Sequence, residues 1–89
     1  MEVVFAYYGL SCAGGAISLH VQYVTTAWAA GLCDGNSACR GNVHTSVLGD
    51  PYYGCGKDFI VVAKCDSGQV IADSLAAEAQ GQTFHLACN

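Results

Sequence analysis

Apolar residues fall in short runs separated by glycine-rich turns, and the runs differ in period. Residues 3–8 (VVFAYY) are β-branched or aromatic apart from Ala6 and stop at Gly9, which predicts a strand that begins close to Met1. Beyond Cys12 and the Gly14, Gly15 pair, Ile17, Val21, Val24, Trp28 and Leu32 recur every three or four residues, the stripe of a helix that packs one face. Gly31 followed by Leu32 suits a C-terminal cap for that helix. A strand competes over its first part, where Ile17, Leu19, Val21 and Tyr23 alternate with Ser18, His20 and Gln22; the helix is the reading adopted.

The second half reads as strands. Within residues 32–39 (LCDGNSAC), Asp34, Gly35 and Asn36 are turn-forming, and two cysteines six residues apart suit a short local disulfide. Residues 42–48 (NVHTSVL) read as a short strand leading into a turn at Gly49. Residues 58–64 (DFIVVAK) form the clearest strand, and because their apolar positions do not alternate with polar ones, a central place covered on both faces is expected. A weaker strand over 69–75 follows the Asp66-Ser67-Gly68 turn. Residues 83–88 set Phe84, Leu86 and Cys88 against Thr83, His85 and Ala87, the alternation of a half-buried strand. The expected fold class is α+β: a small disulfide-stabilised antiparallel β-sandwich with one main helix, in a single domain over 1–89.

Composition changes the picture mainly through cysteine. A chain of 89 residues holds one small core, which is marginal unless something else stabilises it. The six cysteines show no CxxC spacing and His20, His44 and His85 are scattered, so disulfides are expected rather than a metal site, with 15 pairings open. Disulfides imply an oxidising compartment, hence a secreted or extracellular protein. Met1 is followed at once by Glu2 and a strand-like run, without the pattern of an export signal, which suggests a module cut from a longer protein. The net charge of −4, with Arg40, Lys57 and Lys64 as the only Lys or Arg residues, argues against nucleic acid. Membrane insertion is not expected, since no apolar run approaches the ~20 residues of a spanning helix.

The richest stretch is GDPYYGCGKDFIVVAKC, residues 49–65, where a turn bearing Asp50 and Lys57 runs into the best strand. Gly49, Gly54 and Gly56 with Pro51 let such a turn lie close against a ligand. Taken with CDGNSAC (33–39) and the upstream strand ending in AYYG (6–9), this stretch resembles the galactose/rhamnose-binding lectin domain, the type first known from sea-urchin egg lectin. The likeness covers about residues 3–65. Beyond it, FHLAC (84–88) is similar to the family's first strand but stands at the end of this chain, so the domain looks circularly permuted. The permuted alignment implies the bridges Cys33–Cys39 and Cys65–Cys88, and two cysteines missing from the family set leave Cys12 to pair with Cys55.

The resemblance implies metal-independent binding of a mono- or oligosaccharide of the galactose, rhamnose or uronic-acid type, with no cofactor. By residue-wise carry-over Asp50 accepts bonds from sugar hydroxyls, Tyr8 lines the pocket, and Lys57 with the Gly54 backbone completes the turn. Tyr52 and Tyr53 are candidates to stack on a sugar ring, and Glu78, with Gln80 and Gln82 nearby, is the candidate for the family's glutamate. The chain departs from the pattern at Tyr7 (asparagine in the family), at Leu10 (arginine) and at Cys55, which follows Pro51 less closely than the family's cysteine does. Alternatives stay open for each residue: Asp50 as the cap of a turn, Lys57 as a solvated charge at a strand start, Tyr52 and Tyr53 as packing over the Cys55 bridge. The rival to a sugar-binding module, oligomeric or appended to a larger secreted protein, is an extracellular inhibitor, toxin or adhesion module. Catalysis by a pair drawn from Asp50, Asp58, Asp66 and Glu78 is not expected, because so short a chain rarely builds a deep cleft.

Overall fold

In the computed structural model, residues 1–14 and 16–89 are described; Gly15, the second glycine before the helix, lies outside them. The β-branched and aromatic runs form the expected strands: β1 (Glu2–Tyr8), β3 (Phe59–Lys64), β4 (Val70–Leu75) and β5 (Thr83–Ala87). A further strand, β2 (Ala38–Asn42), follows the helix. They build two antiparallel sheets, ordered β1-β3-β4 and β2-β5. Tyr8 stands opposite Phe59 and Glu2 opposite Lys64, with the register shifting between Val3 and Phe5. β3 is central as expected, but its faces differ: Phe59, Val61 and Ala63 are buried while Ile60 and Val62 are only half-buried. The other sheet and the helix cover the first of these faces.

The helical period wins over the competing alternation, giving α1 (Leu19–Cys33). Ser18 caps it, its hydroxyl accepting from the Val21 N–H at 3.4 Å. Thr25, Ala29 and Cys33, four apart and small, form the buried line, which lets the helix approach closely. Trp28 flanks that line, whereas Ile17 and Leu32 at the two ends of the predicted stripe are exposed. The cap is also later than predicted. Gly31 lies inside α1, and the left-handed residue is Gly35 (φ 84°), with the Asn36 N–H returning to the Cys33 carbonyl at 3.0 Å. Burial of Cys33 and its bridge to Cys39 carry the helix two residues past Gly31.

The Thr26 hydroxyl both donates to the Ala6 carbonyl (3.1 Å) and accepts from the Ala6 N–H (3.0 Å), while the Asp34 carboxylate accepts from the Val3 N–H at 2.7 Å. Trp28 meets Phe59 and Phe84 edge-on at 6.0 and 5.6 Å, and Phe59 stacks on Phe84 at 5.3 Å, joining helix and both sheets in one core. Each buried aromatic of this kind contributes roughly 1.5–3 kcal/mol by burial. Asp73 ties the sheets again, accepting from the His85 N–H at 2.8 Å.

Residues 42–48 are not a strand. Asn42 ends β2, and Thr45–Leu48 makes one helical turn, α2, started by His44, whose Nδ1 accepts from the Ser46 N–H at 3.1 Å. Burial of Leu48 and this local cap override the strand preference of Val43, Thr45 and Val47. The disulfides are Cys12–Cys55, Cys33–Cys39 and Cys65–Cys88, the pairs implied by the permuted alignment. Met1, Cys88 and Asn89 line one cavity of about 440 Å³, so the two ends of the chain are neighbours. The fold is a small α+β arrangement of two antiparallel sheets and one main helix, stapled by three disulfides.

Candidate functional site

The turn between α2 and β3 is fixed from three sides. Gly49 (φ 79°) lets the chain leave α2, and its N–H closes that helix on the Thr45 carbonyl at 2.8 Å. Farther on, the Cys55 N–H returns to the Tyr52 carbonyl at 3.0 Å, with Gly54 at φ 81° between them. The Cys12–Cys55 bridge then holds the turn against the 3-10 turn Leu10–Cys12 that follows β1.

Lys57 is not a solvated charge: its side chain is 7% exposed. A buried ammonium is costly unless paired and hydrogen-bonded, and here Nζ lies 2.6 Å from Asp50 Oδ1 while donating to the carbonyls of Cys55 (3.1 Å) and Tyr52 (3.3 Å). Those three acceptors match the three donors of an ammonium, so a ligand reaching Lys57 must displace one of them. Lys57 is therefore placed as the organiser of the turn. Asp50 is different, since its side chain remains 40% exposed and it meets Lys57 through Oδ1. Its outer edge is open to accept hydrogen bonds.

Beneath the ion pair lies Tyr8, 1% exposed, with the ammonium 5.7 Å from its ring centre. Among the described residues its hydroxyl makes no hydrogen bond, and no fully buried side-chain oxygen or nitrogen is left unpaired. Burial raises the Tyr8 hydroxyl pKa above its ordinary value; Lys57 opposes this, and the Asp50 and Glu78 charges add to it.

Glu78 comes to the same turn from the loop before β5. Its backbone is left-handed (φ 67°), and its carboxylate lies against Gly56, where an added Cβ would collide with Oε1. The Ala79 N–H donates to the Lys57 carbonyl at 2.9 Å and the Gln82 side-chain amide to the Glu78 carbonyl at 3.0 Å. Gln82 thus shapes this loop, and Gln80 is exposed. The structure therefore brings Tyr8, Asp50, Lys57 and Glu78 together from three separate stretches of chain.

The two candidate aromatics part ways. Tyr53 is 93% exposed at the tip of the turn. Tyr52 is half-buried, its ring lying over Gly9 so closely that a Cβ there would sit 2.6 Å from Cδ2. Its hydroxyl meets that of Tyr7 at 2.6 Å, and the Tyr7 oxygen also accepts the Ser18 N–H at 2.8 Å. This hydrogen bond to Tyr7 is the main cause of a raised Tyr52 pKa.

Sequence reasoning missed the parts of Tyr7, Gly9 and Gly56, whose partners lie 11–48 positions away, and the only local signal was the glycine after each aromatic or cysteine. Asp58 is engaged structurally, accepting from the N–H and hydroxyl of Ser11, both at 3.0 Å. Asp66 is fully exposed beside the chain start. Among the described residues no group of three or more His, Cys, Asp or Glu is arranged to hold a metal ion, and no helix is long and apolar enough to cross a membrane. In class, this is a small disulfide-stapled α+β domain with a carboxylate- and tyrosine-lined surface turn. Comparison with protein-family models, curated proteins and solved structures finds no match.

Proposed function

We propose that this chain is a carbohydrate-binding module, a circularly permuted relative of the galactose/rhamnose-binding lectin sandwich, acting outside the cell without a metal. The observation that supports this most is the convergence of Tyr8, Asp50 and Glu78 around a lysine whose own donors are already used. Two carboxylates and a phenol offer acceptors and a donor to neighbouring sugar hydroxyls, Gly54 lets the backbone approach, and exposed Tyr53 presents a ring face. With Lys57 neutralised by Asp50, Glu78 leaves the site net negative, which favours neutral galactose- or rhamnose-type sugars over uronic acids. One shallow site of this kind binds weakly, and tandem modules or oligomers would supply avidity.

A second reading, an extracellular protein-interaction module, draws on one observation: Ile17, Leu19 and Tyr23 are exposed around the start of α1. A glycan array probed with the oxidised, multivalent protein, with and without chelator, separates the two. Chelator-resistant binding to one neutral sugar class is expected, and a blank from folded protein moves the assignment to the protein-interaction reading. Asp50→Asn keeps an oxygen acceptor for Lys57 but removes its counter-charge; it should weaken binding about 10- to 100-fold, the loss of a charged hydrogen bond, and lower Tm by less than Asp50→Ala does. Asp50→Ala strands a buried ammonium and should lower Tm as well.

A further inference from the structure

Tyr7 stands on the opposite face of β1 from Tyr8 and is completely buried, yet its hydroxyl is hydrogen-bonded on two sides. On one side it accepts the N–H of Ser18, the cap of α1; on the other it holds the Tyr52 hydroxyl. Tyr52 in turn packs on Gly9 and offers its carbonyl to Lys57, whose ammonium meets Asp50. A continuous chain of contacts thus runs from the start of α1 through Tyr7 and Tyr52 to the open carboxylate of Asp50.

We propose that Tyr7 is a positioning residue for the ligand site: through Tyr52 it sets where Asp50 and Lys57 stand, without touching the ligand itself. This rests on the sugar-binding reading of the turn. The resemblance places asparagine at this position, so the device belongs to this chain's own pairing of two tyrosines. Because Lys57 is held by one carboxylate and two carbonyls of the same turn, moving the Tyr52 backbone moves the ammonium, and the Asp50 carboxylate follows it.

The test uses the oxidised wild type, Tyr7→Phe, Tyr52→Phe and the double variant, titrated calorimetrically with methyl α-galactoside and methyl α-rhamnoside. Tyr7→Phe keeps the buried ring and is expected to bind about 3- to 10-fold more weakly, the range of one neutral hydrogen bond. The double variant should bind no worse than Tyr7→Phe alone, since Tyr7→Phe already breaks the link to Tyr52 along with the bond to Ser18. Ultraviolet titration of tyrosine ionisation adds a readout that general loosening does not predict: Tyr52 should ionise at lower pH in Tyr7→Phe. Unchanged affinity in Tyr7→Phe with wild-type binding intact overturns the positioning role and leaves the sugar reading standing, as do fully additive losses. Wild type that binds neither glycoside refutes the sugar reading and this proposal with it.

Discussion

Gly9→Ala is the sharpest perturbation of the turn, because it inserts a single carbon between β1 and the ring of Tyr52. Gly9 has φ 92°, and a Cβ there would lie 2.6 Å from Tyr52 Cδ2 and 3.1 Å from Lys57 Cγ. Gly68 supplies the control, since it has nearly the same φ, 94°, with nothing within 4 Å of the added carbon. Placing a side chain in the left-handed region costs about 1–2 kcal/mol, and both alanines carry that cost. Only Gly9→Ala must also displace a ring whose hydroxyl is tied to Tyr7, an overpacking cost of about 1–3 kcal/mol. At about 4–8 °C of Tm per kcal/mol in a domain of this size, Gly68→Ala should lose about 4–16 °C and Gly9→Ala at least a further 4 °C. Thermal unfolding followed by circular dichroism on oxidised protein measures both, and glycoside titration should show impaired binding only for Gly9→Ala. Equal Tm losses at the two sites would refute the packing of Tyr52 on Gly9.

Two further outcomes follow from the staples and the tyrosines. Cys12→Ser/Cys55→Ser opens a loop spanning 43 residues in sequence and should cost about 4 kcal/mol by chain entropy, read as a fall in denaturant midpoint; a change under about 1 kcal/mol would mean that the turn is held without its bridge. Burial of Tyr8 and the Tyr7 hydrogen bond to Tyr52 raise both hydroxyls above their ordinary value of 10.0. The folded chain therefore keeps protons that the unfolded chain releases, so their stabilisation is intact below pH 10 and is lost as pH rises through the raised folded values. Tm measured from pH 8 to 11.5 should fall at the alkaline end, less steeply in Tyr8→Phe and in Tyr52→Phe; identical slopes in all three proteins would contradict the assignment.

Most strands were legible from local pattern: β-branched and aromatic runs at 3–8 and 58–64, and apolar–polar alternation at 83–88, needed no partner to be recognised. Residues 42–48 carried the same residue types, but His44 and Leu48 closed a helical turn on them. Local preference could not register that contest, since Leu48 is buried only once the rest of the chain is in place. At the turn, residue types were readable and partnerships were not. For Lys57 a solvated charge at a strand start fits the local sequence, but the side chain is buried, and a buried ammonium needs acceptors that only the folded turn supplies. The Tyr7–Tyr52 contact spans 45 positions and leaves no periodic trace in either run.

Among the described residues β1 pairs with one strand, yet part of its other side is already occupied: Thr26 takes both backbone groups of Ala6, and Asp34 takes the N–H of Val3. A bare strand edge invites the same strand of a neighbouring molecule to add on and propagate into aggregates. With these groups sealed by side chains from α1 and the residue after it, many copies can be crowded on a surface or strung along one polypeptide without β1 zipping them together.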